Sequence, residues 1–441
     1  MRESCRVLVL ASLIGCASAS VPADNRSSSE PISTAVAVAT FDSLWSKVRN
    51  TYVDTAFVST RWAEMRRALR PRAEAVTTRS ELDKLLADAL SYISDSHFYI
   101  IPAHIATEEQ SSRSADGRGT VGLAVRVADG NVVAWRVEKD SPAWNAGIRP
   151  GQRVWRIESR NTDSAMKRVR ALPELARPRA LADMLHSLNG LLSPAVGDTA
   201  RVWTGSKRNL VAVPARGLVS QFGNLPPLAG IVKADHVISR TPSACVGVIA
   251  FNIWLPALVQ DLENAVDAVR GCDGIVIDLR GNPGGLGAMV MGFGGYFVDT
   301  TKSLGTMRSR QVALKFVINP RTSRSDGRTA KPFSGPLAII VDPMTASTSE
   351  IFATGMQRIG RARVFGERSA GAALPALMER LPSGDVFVHA VADFTDPKGR
   401  RIEGSGAVPD EIVPLKVVDL TKGHDAALDA AVRWITSGKK S

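Results

Sequence analysis

Residues 342–355 read DPMTASTSEIFATG and follow the apolar run PLAIIV. Five hydroxyl side chains and two acids share these fourteen positions. Ser347 falls where an apolar strand would hand over to a helix ending near Met356. A hydroxyl at a helix mouth does one of two things. It caps the helix by accepting a bond from a first-turn amide. Or it acts as a nucleophile, because the positive end of the helix favours developing negative charge and the following N–H can point into an oxyanion site. This stretch alone leaves both open.

A nucleophilic serine needs a base within about 3 Å, and the base needs an orienting partner. His97 is the candidate base, in the polar cluster SDSHF that ends a helical segment and precedes the apolar FYII. Ser96 is its neighbour. His104, His186, His236, His389 and His424 have no comparable context. The candidate orienting acid is Glu403, between a strand and a Gly-rich turn within residues 396–410, DPKGRRIEGSGAVPD. A second loop of interest is DLRGNPGGLG, residues 278–287, where glycine leaves backbone amides open to a ligand. It lacks the GxxxxGK[ST] spacing of a phosphate loop, so no nucleotide is indicated. No HExxH or CxxC occurs, so neither a metal nor a cofactor is expected.

Three blocks must position these residues. Residues 33–106 should be helical: Phe41, Leu44, Trp45, Val48 and Tyr52 repeat at helical spacing, as do Leu82, Leu85, Leu86, Ala89, Leu90 and Ile93. Thr78 and Glu81 fit a capping box at the start of the latter helix. Residues 106–119 are almost free of apolar side chains and read as a linker. In residues 117–216, two alternating strands flank Asp129-Gly130, a hairpin signal. SPAWNAGIRPGQRVWRI follows, and residues 171–194 look like a helical insertion. In residues 217–441 the apolar runs CVGVIAF, GIVIDLR, PLAIIVD and RARVFGE alternate with helical stretches. That pattern argues for an α/β layer with a parallel sheet.

GIVIDLRGNPGG, TASTSEIFATGMQ with ARVFGE, and IEGSGAVPD, in this order, resemble the C-terminal processing (tail-specific) and tricorn-core serine peptidases. The SPA..AGI..GQ.V..I pattern resembles a PDZ domain, with Gln152 where an acid is usual. The resemblance implies a ClpP/crotonase-like α/β core behind a PDZ-like domain and a helical N-terminal domain. It makes Ser347 the nucleophile. The tail-specific branch pairs that serine with a lysine, but GERSAGAALP has Ala372 at the matching place. Arg368 is nearby, yet a guanidinium stays protonated and cannot be a base. The tricorn-like branch uses a Ser-His pair and a late Glu, which match Ser96, His97 and Glu403. By the same resemblance, Thr348 with Gly284 or Gly285 would supply oxyanion amides. Val121, Gly122, Leu123 and Ala124 would bind a peptide C-terminus as an added strand. The expected function is a serine peptidase acting on unfolded or tail peptides. The alternative is an inactive PDZ-containing peptide- or ligand-binding protein, which the missing lysine would fit.

The net charge of +12 is scattered over the 441 residues, with no aromatic-interleaved basic run, and reads as solvated surface rather than a nucleic-acid site. The N-terminus has Arg2 and Arg6 ahead of a short apolar run, too short to span a bilayer. LIGC, residues 13–16, resembles a bacterial lipobox that would lipidate Cys16. Cleavage after Ala19 is the competing site. Residues 1–15 are thus expected to be a signal and 16–32 a tether, placing the protein in a bacterial periplasm or envelope. There Cys245 and Cys272 could pair, or remain two buried thiols.

Overall fold

The computed structural model describes residues 11–12, 30–103, 119–220, 228–241 and 244–437. Cys16 and nearly all of the expected signal and tether lie outside the described residues, as does most of the linker. Among the described residues, no helix is long and apolar enough to cross a membrane.

Helices Thr34–Thr51, Ala63–Ala73 and Arg79–Leu90 form the front block. Phe41, Leu44, Val48, Leu82, Leu85 and Leu86 are buried together with Trp62 and Met65, as the helical periodicity requires. The capping box is made: Glu81 N donates to Thr78 Oγ1 at 3.3 Å, and Thr78 N donates to Glu81 Oε2 at 3.1 Å. This core also takes in Leu381 and Phe387 from a hairpin late in the chain. The segment after the helices, Tyr99–Ile101, pairs antiparallel with Val386–Ala390, Tyr99 facing Val388. That ladder ties Ser96 and His97 to the C-terminal half.

The second block opens with the expected hairpin, Leu123–Ala128 against Asn131–Val137. Asp129 and Gly130 both have positive φ, 47° and 74°, which matches a two-residue type I′ turn. A short helix, Pro142–Asn145, and a four-stranded sheet follow. The expected helical insertion is the helix Arg177–Gly190. Val121, Val125, Ile148, Val154, Leu188 and Val202 share a core separate from the others.

The last block is a six-stranded sheet in the order Asp235–Thr241, Ala244–Ala250, Gly274–Asp278, Leu337–Val341, Arg363–Gly366, Glu411–Ile412. The first pair is antiparallel and the rest are parallel. Every residue of Gly274–Asp278 and Leu337–Val341 is buried. Alternation explains this. Ile275, Ile277 and Ile339 pack with Leu262 and Val266 of helix Val259–Val269. Val276, Ala338 and Ile340 pack on Ala427, Ala431 and Ile435 of helix Ala426–Ser437. A sheet covered on both faces reads as continuous apolar runs. Cys245 and Cys272 form a disulfide, Cα atoms 4.8 Å apart.

Candidate active site

Ser347 ends the loop after strand Leu337–Val341 and caps helix Thr348–Arg358. Its backbone is left-handed, φ 55° and ψ −122°. A non-glycine residue held there costs about 1–3 kcal/mol and persists only when the surroundings over-determine it. The surroundings do so. Ser347 N donates to Ala372 O at 2.8 Å and to Glu350 Oε2 at 2.9 Å. The hydroxyl itself is buried and, among the described residues, has no hydrogen-bond partner. Capping falls to Glu350, whose carboxylate reaches back to the Ser347 amide, so the Ser347 oxygen is not committed to the helix.

His97 is the second strained residue, at φ 62°. Its Nδ1 lies 2.7 Å from Ser96 Oγ. Ser96 Oγ donates to Glu403 Oε2 at 2.9 Å, and Ser96 N donates to Glu403 Oε1 at 2.8 Å. A hydroxyl has one proton to give. With that proton on an ionised Glu403, Ser96 Oγ must accept from Nδ1–H. This leaves the lone pair on Nε2. Among the described residues His97 Nε2 is buried without a partner, like Ser347 Oγ. Burial, and secondarily the Arg179 guanidinium, lower the His97 pKa to about 4, so the ring is neutral near pH 7. Burial pushes Glu403 up to about 7.

Two adjacent residues join the halves. Ala372 O receives the Ser347 amide, and Ala373 N donates to Glu403 Oε2 at 2.8 Å. Ala372 is fully buried. Helix Arg177–Gly190 lies against this seam: Ala182 packs with Ala346, Ala370 and Ala372, and Arg179 Nη1 donates to Ser94 O at 2.6 Å, 4.0 Å from Glu403 Oε1.

The Gly loop meets the serine directly. A Cβ on Gly284 would sit 2.7 Å from Ser347 Cβ and 3.0 Å from Thr348 N. The Gly284 amide donates to Asn282 Oδ1 at 3.0 Å. Ala11 and Ser12 pair antiparallel with Leu286 and Gly285, so this edge takes up an extended backbone.

The amides expected to bind a peptide C-terminus are engaged within the chain. Val121 N donates to Leu192 O at 3.3 Å and Gly122 N to Thr120 Oγ1 at 2.9 Å. Leu123 and Ala124 face Val137 and Arg136 in the hairpin ladder. The neighbouring Val125 exchanges both backbone bonds with the Asn189 amide, at 2.9 and 3.1 Å. An incoming strand would meet the Asn189 side chain at Val125. Sequence reasoning also missed Glu350, Ser369 and Asn282. Glu350 carried a signal as an acid three residues into a helix, and Asn282 as a turn-forming side chain two residues before Gly284; Ser369 carried none.

Residues 246–413 match peptidase family S41, and residues 39–91 match the tricorn protease C1 domain. The chain carries a serine peptidase domain of family S41. The S41 peptidase is 24% identical over 410 residues to a carboxyl-terminal-processing protease of Synechocystis sp., covering 89% of this chain and 86% of that protein. Its fold resembles the photosystem II D1 C-terminal processing protease (19% identical, 89% of this chain and 98% of that chain, TM-score 0.53). It also resembles mature CPAF (12% identical, 92% of this chain and 99% of that chain, TM-score 0.62).

Proposed function

We propose that this S41 peptidase cleaves extended or unfolded polypeptide, C-terminal tails included, through Ser347, His97, Ser96 and Glu403. One observation carries the reading: the hydrogen-bonded chain Glu403–Ser96–His97 and the strained Ser347 are fastened to the consecutive residues Ala373 and Ala372. His97 Nε2 takes the Ser347 proton as Oγ attacks the scissile carbonyl carbon, then gives it to the leaving amine. Water repeats the sequence on the acyl-enzyme. The oxyanion accepts from Thr348 N–H and from an N–H of Gly284 or Gly285. Ser96 and Glu403 hold the tautomer and stabilise the imidazolium. Ala372, where a lysine would stand, leaves room for this arrangement.

Residues 217–441 serve as a ClpP/crotonase-like core and 117–216 as a PDZ-like domain, whose Val121–Ala124 edge would add a peptide strand once Asn189 is displaced. Export with a lipid on Cys16 fits the leader, and the Cys245–Cys272 disulfide fits an oxidising compartment. The test is to incubate the protein with a reduced, unfolded protein and with the same protein folded. Fragments from the unfolded form alone are expected, read by mass spectrometry. No fragments from either form would favour a non-catalytic peptide binder.

The pH profile has a definite sign. Below about 7, Glu403 takes a proton and can donate to Ser96 Oγ. Ser96 then donates to Nδ1, the imidazole proton moves to Nε2, and the base is lost. kcat/KM should therefore rise through an acid limb centred near 7, not near the His97 value of about 4. Initial rates across about pH 5 to 9 measure this. A limb centred near 4 would assign control to His97 instead.

A further inference from the structure

Glu350 is fully buried, and among the described residues no cation pairs with it. A buried carboxylate without a counter-charge persists only if its oxygens are fully hydrogen-bonded. Four donors reach it. Oε2 accepts from Ser347 N at 2.9 Å and Ala372 N at 2.9 Å. Oε1 accepts from Gly371 N at 2.7 Å and Ser369 Oγ at 2.5 Å. Ser369 Oγ in turn accepts from Ala407 N at 2.7 Å.

A helix cap explains only the Ser347 bond. The other three come from a loop that is distant in sequence and belongs to neither the helix nor its turn. The next amide of that loop, Ala373 N, goes to Glu403. Three consecutive amides are thus divided between two buried carboxylates. One carboxylate holds the serine and the other holds the Ser96–His97 pair. We infer that Glu350 is a positioning residue for Ser347, and that with Glu403 it fixes loop 369–373 as the spacer setting nucleophile against base. The inference rests on the peptidase reading above. In the lysine branch the base would itself grow from this loop. Here the loop carries no base, and its backbone registers two others.

Glutamine at 350 keeps the shape but turns one acceptor into an N–H₂ group facing incoming N–H or O–H donors. Aspartate keeps the charge on a shorter arm. The experiment measures kcat, KM, the rate of fluorophosphonate labelling at Ser347, and thermal melting for wild type, Glu350→Gln, Glu350→Asp and Ser369→Ala. Glu350→Gln should lower kcat and labelling rate together by roughly 100-fold, the scale of a misplaced reacting group, with KM little changed. Ser369→Ala should lower both by roughly tenfold, the loss of one charge-assisted bond. Glu350→Asp should recover part of the Gln loss. A folded Glu350→Gln protein with wild-type kcat and labelling rate overturns the inference, even if it melts earlier. Should Glu350→Gln fail to fold, unchanged kcat and labelling in Ser369→Ala overturn it. If wild type itself is neither labelled nor active, the peptidase reading falls and takes this inference with it. If wild type is labelled and the variants match it, this inference alone falls.

Discussion

Ser347→Ala and His97→Ala should each abolish turnover, lowering kcat by roughly 10⁶, and the double variant should be scarcely worse than either. In the proposed mechanism the two groups act in one event. Oγ would attack only as Nε2 takes its proton, so removing either would remove the whole step. The structure gives the expectation its force. Among the described residues both atoms are buried without partners, and the Ser347 amide is held by Ala372 O and Glu350 Oε2, bonds its side chain does not make. Ser347→Ala should therefore leave the backbone in place with little change in melting temperature, whereas His97→Ala also removes the Nδ1 bond to Ser96 Oγ and should melt somewhat earlier. Fluorophosphonate labelling should vanish in Ser347→Ala and slow strongly in His97→Ala. Labelling that survives Ser347→Ala would locate the nucleophile elsewhere. An undiminished rate in His97→Ala would remove the imidazole from the proton path.

The proposed nucleophile and base could be singled out because their surroundings have strong local grammar. An apolar strand, a hydroxyl-rich turn and a helix locate Ser347. A helix end followed by a strand locates His97. What ties the His97 segment to the C-terminal half was not legible. The His97 segment is tied in by pairing of Tyr99 with Val388, and such registers depend on which strands find each other. The strand Asp235–Thr241 escaped the sequence reading for a related reason: it is a sheet edge, and Val237 is exposed, so it lacks the apolar run of its neighbours. GIVIDLR and PLAIIVD were read two residues too long and RARVFGE three, because composition continues into loops where the ladder has stopped, while CVGVIAF was displaced by one residue.

Two of the amides in these loops are engaged for one reason. Asn282 binds the amide two residues on, and Thr120 does the same for Gly122. Side-chain to backbone turns of this kind are written in the sequence and were overlooked. The Asn189 contact with Val125 was not written there, since it needs a helix docked on a strand edge. Likewise, nothing in GERSAGAALP announces that its backbone serves two carboxylates. Its side chains are small, and its function lies in main-chain N–H groups that every sequence has.

Gly284→Ala tests the joint between the Gly loop and the serine. Gly284 has φ 105°, a conformation that L side chains rarely adopt. Its Cβ would meet Ser347 Cβ at 2.7 Å, Ala346 O at 3.0 Å and Thr348 N at 3.0 Å. Two of these are backbone atoms, which cannot swing aside as a long side chain would. Relief must come from moving the loop off the helix mouth, or Ser347 off its strained backbone. Either motion separates Oγ from the oxyanion amides. The expected loss in kcat is roughly 10²–10³, the scale of losing one oxyanion donor. KM should change less, because the edge at Gly285–Leu286 remains. Gly287→Ala is the matched control. It lies in the same loop without positive φ, and its Cβ would only touch Phe316 Cζ at 3.5 Å, so it should retain near wild-type rates. Equal kcat values for the two variants would mean that the loop does not position the serine, and the oxyanion site would have to be sought on another side of Ser347.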